Sequence, residues 1–320
     1  MAINYDHGTN SISSTTGYLQ LTSKNQIGWK NRIINGAMTV FQRGTTALTV
    51  TAGTTVPTVS TGYYNLDRWF IYSLGGNPTV APIFSNTYVM QITGVAGITE
   101  IGVGQRIEAV NMYDLAGQTV TLSWYMSNSV LTTVNVTLSY PTISDTAGPI
   151  GTPTKTQIAT TPITITSTLS RYAVIFNVPA AATTGLEVLF TVGAQTSGTW
   201  NITLVQLEVG SGATAFEFRP QGTEFSLCQR YLEQVPNQGV RGCGYAATAG
   251  LTTNYFTSPL QVQKRVAPSS PVTFSISNLT SVAMGTSAYS LVFAFTATAV
   301  GNFFWYTNAA AAMTLVNAEL

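Results

Sequence analysis

Apolar side chains recur at every second position through much of residues 119–209, and this period of two limits the possible folds more than any other feature. In residues 119–126, Val120, Leu122, Trp124 and Met126 share one face; in 134–140, Val134, Val136, Leu138 and Tyr140 do. Residues 171–178 repeat the pattern with Tyr172, Val174, Phe176 and Val178, and 186–192 with Leu186, Val188, Phe190 and Val192. A strand with one buried face reads this way, and such faces must cover one another, so two sheets packed face to face are expected. Over 200–209 the phase changes from Trp200, Ile202 and Leu204 to Val205, Leu207 and Val209. One extra residue near Leu204 would realign the faces, which predicts a β-bulge.

The same short alternating segments, separated by Gly, Pro, Thr and Asn clusters, run from Asn31 to about Arg219 and predict a jelly-roll β-sandwich over 31–222. Residues 1–30 hold few apolar side chains and several turn formers, and read as an extended arm without a core of its own. Thr223 can cap a helix over 224–235, where Leu227 and Tyr231, and Cys228 and Leu232, stand four apart before Pro236. This predicts a linker helix over 223–236. Strand-like segments at 240–246, 253–259, 272–277, 290–296, 302–307 and 314–318 predict a smaller β-sandwich over 237–320. The expected class is all-β.

Charge narrows the function. Only 8% of the 320 residues are charged, against about 25% in an ordinary soluble protein, and Thr, Ser, Asn and Gln take their places. Uncharged polar surface is cheap to bury against a neighbour when its hydrogen bonds are met, so an oligomer is expected. With 13 basic and 12 acidic side chains there is no field to gather phosphates, and no nucleic-acid partner is expected. No stretch reaches the ~20 apolar residues that span a bilayer, and residues 1–21 lack a signal-peptide pattern. Synthesis in a cytoplasm, without membrane insertion, is the expectation. Cys228 and Cys243 are then expected as free thiols.

Several segments carry a resemblance. In order along the chain stand Asn31-Arg32-Ile33-Ile34-Asn35-Gly36-Ala37-Met38, Gln42-Arg43-Gly44, Asp67-Arg68-Trp69, Gln105-Arg106-Ile107-Glu108, Leu115-Ala116-Gly117-Gln118 and Leu122-Ser123-Trp124. Gln206-Leu207-Glu208-Val209-Gly210, Phe216-Glu217-Phe218-Arg219-Pro220 and Leu227-Cys228-Gln229-Arg230-Tyr231 follow. Over about residues 31–235 the chain resembles surface proteins of tailed-bacteriophage virions: tail fibres, collar fibres and head decorations. The resemblance implies a jelly roll similar to carbohydrate-binding modules and assembly as a homotrimer. Gln263-Lys264-Arg265-Val266-Ala267-Pro268 departs from the usual text of the companion domain.

Chemistry is sparse. His7, the single histidine, lies in the expected arm, so no Ser-His-Asp or Cys-His pair can form inside a folded domain. Two cysteines fifteen positions apart with no histidine nearby supply no zinc site, and no glycine-rich phosphate loop is present, so neither metal nor cofactor is expected. Glu100, Glu108, Asp114 and Glu187 could pair for glycoside cleavage only if the fold brought them together. In a chain this poor in charge, Arg68 is expected to pair with Glu108 or Glu208, and Arg219 with a carboxylate.

Sugar binding would use aromatic faces. Tyr63, Tyr64 and Tyr125 are the candidate glycan contacts, while Trp69 and Trp124 read as core. Phe303-Phe304-Trp305-Tyr306 loads both faces of one strand and is a candidate subunit interface or receptor surface. The expected protein is a non-enzymatic, trimeric fibre or spike on the virion surface, attached to other virion proteins through its arm and to host-surface glycan. The alternatives are a capsid or tail decoration protein without receptor activity, and a glycan-degrading spike.

Overall fold

The alternating segments fold as strands and close into a sandwich. The computed structural model describes residues 3–6, 11–14, 17–19, 29–42, 44–53, 66–235, 241–250, 252–267, 274–307 and 313–316. Strands β1 (Ile3–Asp6), β2 (Ser11–Ser14) and β3 (Gly17–Leu19) form a small antiparallel meander. The stretch expected to be an arm thus carries its own backbone pairing.

The sandwich comprises β4 (Leu48–Thr49), β5 (Phe70–Leu74), β6 (Thr79–Ser85), β7 (Thr87–Thr93), β8 (Glu100–Ile107), β9 (Thr119–Asn128) and β10 (Thr133–Pro141). It is completed by β11 (Lys155–Thr164), β12 (Ser170–Asn177), β13 (Leu186–Val192) and β14 (Thr199–Val209). One sheet has the order β11-β10-β13-β8-β5, the other β12-β9-β14-β7-β6-β4, and all neighbours are antiparallel. The apolar faces meet as expected: Val120, Leu122, Trp124 and Met126 from β9 are buried against Val188, Phe190 and Val192 from β13. Trp124 meets Phe190 edge-on at 5.1 Å between ring centroids, joining the two sheets.

The bulge falls where the phase change places it. The pairing of β14 with β9 slips between Thr203 and Gln206, and Leu204 has φ +50. Beyond it β14 leaves β7, which it pairs only through Ile202, and residues 31–36 take the vacated edge. Val205 N–H donates to the Gly36 carbonyl at 2.9 Å and Arg32 N–H to the Leu207 carbonyl at 2.9 Å. A Cβ on Gly36 would stand 2.1 Å from the Val205 carbonyl oxygen, so the strap needs glycine there for its close approach.

Helix α1 (Gln221–Gln229) is shorter than the sequence spacing predicts. It starts at Pro220, whose carbonyl accepts the Thr223 and Glu224 N–H groups at 2.9 and 3.1 Å. It ends before Tyr231, which is drawn beneath the Arg68 guanidinium, 3.5 Å from its ring centroid. The following residues, expected to continue the helix, form β15 (Leu232–Val235), which pairs with β22 (Met313–Val316). A partner some 80 residues away leaves no local trace, and the four-residue spacing of Cys228 and Leu232 mimicked a helical face.

The C-terminal strands are β16 (Arg241–Ala246), β17 (Thr252–Pro259), β18 (Phe274–Ser277), β19 (Leu279–Thr286), β20 (Ser290–Ala297) and β21 (Gly301–Thr307). They make two three-stranded sheets, β16-β21-β18 and β17-β20-β19, joined where Phe295 stacks on Trp305 at 4.7 Å. The chain is therefore all-β, with one α-helix among the described residues.

Candidate functional site

Several of the segments that carry the resemblance meet in one knot of side-chain and backbone hydrogen bonds. Asn31 is its first hub: Nδ2 donates to the Val205 carbonyl at 3.1 Å, and Oδ1 accepts from the backbones of Ile33 and Leu207 at 2.9 and 3.0 Å. Gln105 clasps the backbone of Ile34 through both amide atoms, at 2.8 and 2.7 Å. Asn35, at φ +56, ties Thr39 and Val40 to the Asp67 carbonyl through its side chain and donates its N–H to Glu224. Glu217 accepts the backbone N–H groups of Lys30 and Asn31 at 3.1 and 2.9 Å.

Arg219 crosses this knot. Its guanidinium bonds Glu224 at 3.1 Å, donates to the carbonyls of Ile33 (3.1 Å) and Asn31, and lies 5.6 Å from the centre of the Trp29 ring. Arg68 donates to the Arg106 carbonyl and covers Tyr231, in a group with Glu108 and Arg230. Glu108 is ion-paired with Arg230 at 2.9 Å, and that hydrogen bond holds Arg230 above the usual guanidinium range although burial works against the charge. Burial pushes the Tyr231 phenol up to about 12. Glu208 serves another purpose than pairing Arg68: it accepts from Thr214 and Gln206 and fixes the turn after β14.

What the knot presents outward is Trp29, 51% exposed. With it, Gly222, Thr223, Ser226, Leu227, Arg230 and Val262 line a cleft of about 430 Å³. It also lines a second hollow of about 120 Å³, with Asn31, Arg32, Ile34, Asn111, Arg219 and Leu227. A flat indole, hydroxyls and guanidinium donors around a space of this size suit a small polar ligand with one apolar face. Trp29 was hidden in the sequence because it follows a polar stretch; the signal was its place directly before Lys30-Asn31, where the knot begins.

The other candidate surfaces lie elsewhere. Tyr125 is half-buried on the outside of the six-stranded sheet, opposite Arg171 and Thr203. Tyr63 and Tyr64 fall outside the described residues. Phe303 and Trp305 point into the C-terminal core, while Phe304, 49% exposed, stacks with Tyr306 on the outside. The outer face of the five-stranded sheet is closed: Phe70 and Tyr72 lie over Gly104 and Gly102 with Leu189 and Ile150, beside the ion pairs of Glu187 with Arg106 (2.8 Å) and Lys155. Among the described residues no cluster of three or more His, Cys, Asp or Glu side chains could hold a metal ion, and neither Cys228 nor Cys243 is in a disulfide.

No family model and no curated protein matches this chain. Among solved structures it is similar to a family 4 carbohydrate-binding module, with 15% identity over 55% of this chain and 98% of the module, at a TM-score of 0.36. It is also similar to the N-terminal cellulose-binding domain of β-1,4-glucanase C from Cellulomonas fimi, with 19% identity over 45% of this chain and 90% of that domain, TM-score 0.31. A third similarity is to the enzymatically active domain of tailspike protein 4 from bacteriophage CBA120, with 16% identity and a TM-score of 0.32. That match covers 49% of this chain and only 22% of the tailspike domain chain. At these values the similarities bear on neither ligand nor activity.

Proposed function

We propose that this chain is a non-enzymatic surface protein of a tailed-phage virion, a trimeric fibre or spike that attaches to host-surface glycan through the cleft beside Trp29. The observation that carries the glycan reading is the half-exposed indole standing over a cleft of about 430 Å³ whose rim includes Thr223, Ser226 and Arg230. A pyranose ring offers an apolar C–H face to such an indole while its hydroxyls meet the rim. The virion assignment is supported by the ordered segments from Asn31 to Tyr231 and by the low-charge surface, suited to packing against other subunits. In this reading the outward Phe304–Tyr306 pair serves contact between copies.

The test is saturable binding of fluorescently labelled protein to host cells, with competition against phage adsorption. Trp29→Ala is expected to weaken cell binding about tenfold or more while leaving the thermal transition in place. Equal binding by wild type and Trp29→Ala removes the cleft from the reading. Failure of an assembled oligomer to bind cells or to block adsorption favours a decoration protein.

A further inference from the structure

Resting on the carbohydrate reading of the Trp29 cleft, we infer that its ligand is an acidic saccharide, with carboxylates received by Arg32 and Arg230 in the two hollows that Trp29 lines. Arg32 lines the smaller hollow and Arg230 the larger cleft, and Trp29 lines both. Each arginine is held to a carboxylate by one edge. Arg32 uses Nη2 on Asp114 at 2.5 Å, and Arg230 uses Nη2 and Nε on Glu108 at 2.9 and 3.3 Å. Arg230 also lies beside the Tyr231 hydroxyl, while Nη1 of Arg32 makes no hydrogen bond and is not fully buried. The side chains are 22% and 30% exposed.

The chemistry around these two groups favours an acceptor. The carboxylates of the knot are committed: Asp114 to Arg32, Glu108 to Arg230, Glu224 to Arg219, and Glu217 to the backbone of Lys30 and Asn31. The remaining guanidinium edges donate and cannot accept. A neutral sugar hydroxyl can satisfy one of them, but a carboxylate accepts without bringing a donor of its own, and its bond to a guanidinium is charge-assisted. Because Asp114 and Glu108 fix the far edges, the near edges are already oriented, which lowers the entropy lost on binding. Two such groups in hollows that share one indole fit a chain of acidic sugars, with a ring on Trp29 and carboxylates at Arg32 and Arg230.

The experiment is an array of hexuronate and sialate oligosaccharides, each beside its carboxyl-reduced counterpart, probed with full-length wild-type protein, Arg32→Lys and Trp29→Ala. Wild type is expected to bind at least one acidic member about tenfold or more tighter than its reduced form. Arg32→Lys keeps the charge and can still reach Asp114 but lacks the free edge of the fork, so it is expected to lose most of that preference while its binding to reduced members is unchanged. Trp29→Ala is expected to lose both. Equal wild-type binding to acidic and reduced members overturns the acidic assignment and leaves the carbohydrate reading standing; a preference that survives Arg32→Lys overturns the placing of a carboxylate on Arg32. Binding to no member of either set overturns both.

Discussion

The strap over the bulge can be tested by a single methyl group. An ideal Cβ on Gly36 would lie 2.1 Å from the Val205 carbonyl oxygen and 3.2 Å from its carbon. Carbon–oxygen contacts are ordinarily no shorter than about 3.3 Å, so in Gly36→Ala the strap must retreat by about 1 Å. Two bonds then fail: Val205 N–H to Gly36 O, at 2.9 Å, and Asn31 Nδ2 to Val205 O, at 3.1 Å. Each buried group left unpaired costs about 1–3 kcal/mol, so a total of about 4 kcal/mol is expected. For a unit of this size that corresponds to a fall in Tm of about 8–16 °C. Tryptophan fluorescence reports it directly, since Trp69, Trp124 and Trp200 are fully buried in the sandwich. Gly193→Ala is the control, because a Cβ there meets nothing within 4 Å. A Tm within about 2 °C of wild type for Gly36→Ala would refute the claim that the strap is held by this close approach.

Other consequences follow from buried and exposed groups. The Tyr231 phenol titrates near 12 in the fold against 10.0 ordinarily, so its contribution is fully present below pH 10 and lost as pH rises toward 12, a share of about 3 kcal/mol. Tyr231→Phe is expected to remove that share from the alkaline limb of a stability–pH curve. The buried Lys264–Glu233 pair, at 2.5 Å, anchors the C-terminal unit; Glu233→Ala is expected to cost about 3–5 kcal/mol in urea denaturation, and Lys264→Met with Glu233→Leu distinctly less. Burial lowers the Lys264 pKa, so the cost of charging it in the fold is relieved as pH rises toward 10.5, opposite in sense to Tyr231. Cys243 is exposed and Cys228 buried, so a thiol reagent is expected to label one site in the native protein and two after denaturation, as counted by mass spectrometry.

The strands with one apolar face were legible because burial acts on every second side chain: Val120 to Met126 and Leu186 to Val192 announce both their direction and their partner face. Strand β8 was less so. Its Gly102 and Gly104 leave gaps that the rings of Tyr72 and Phe70 fill from β5, a complementarity between segments some 30 residues apart. Strand β19 was missed because Leu279–Thr286 carries only Leu279, Val282 and Met284 as larger apolar residues among Thr, Ser, Ala and Gly. The end of α1 was misread because β15 is defined by β22, not by its own composition. The knot was visible only as ordered motifs; that Asn31, Asn35, Gln105 and Glu217 all spend their side chains on backbone groups, tying one strap to its neighbours, required the fold. Trp29 gave no period at all, since a single exposed ring needs none.

The pairing of β15 with β22 has a consequence for exchange. Residues 232–235 and 313–316 run side by side, and neighbouring strands lie about 4.7–4.9 Å apart. Everything between them therefore departs from and returns to the same spot, next to the Glu108–Arg230 group. A segment joined at two adjacent points can be exchanged without moving its host, much as a tool head is changed on a fixed handle, provided the exchange keeps residues 261–265, where Lys264 meets Glu233 and Val262 lines the Trp29 cleft. Grafting foreign strands around that retained loop is thus an economical way to give this jelly roll a new C-terminal unit.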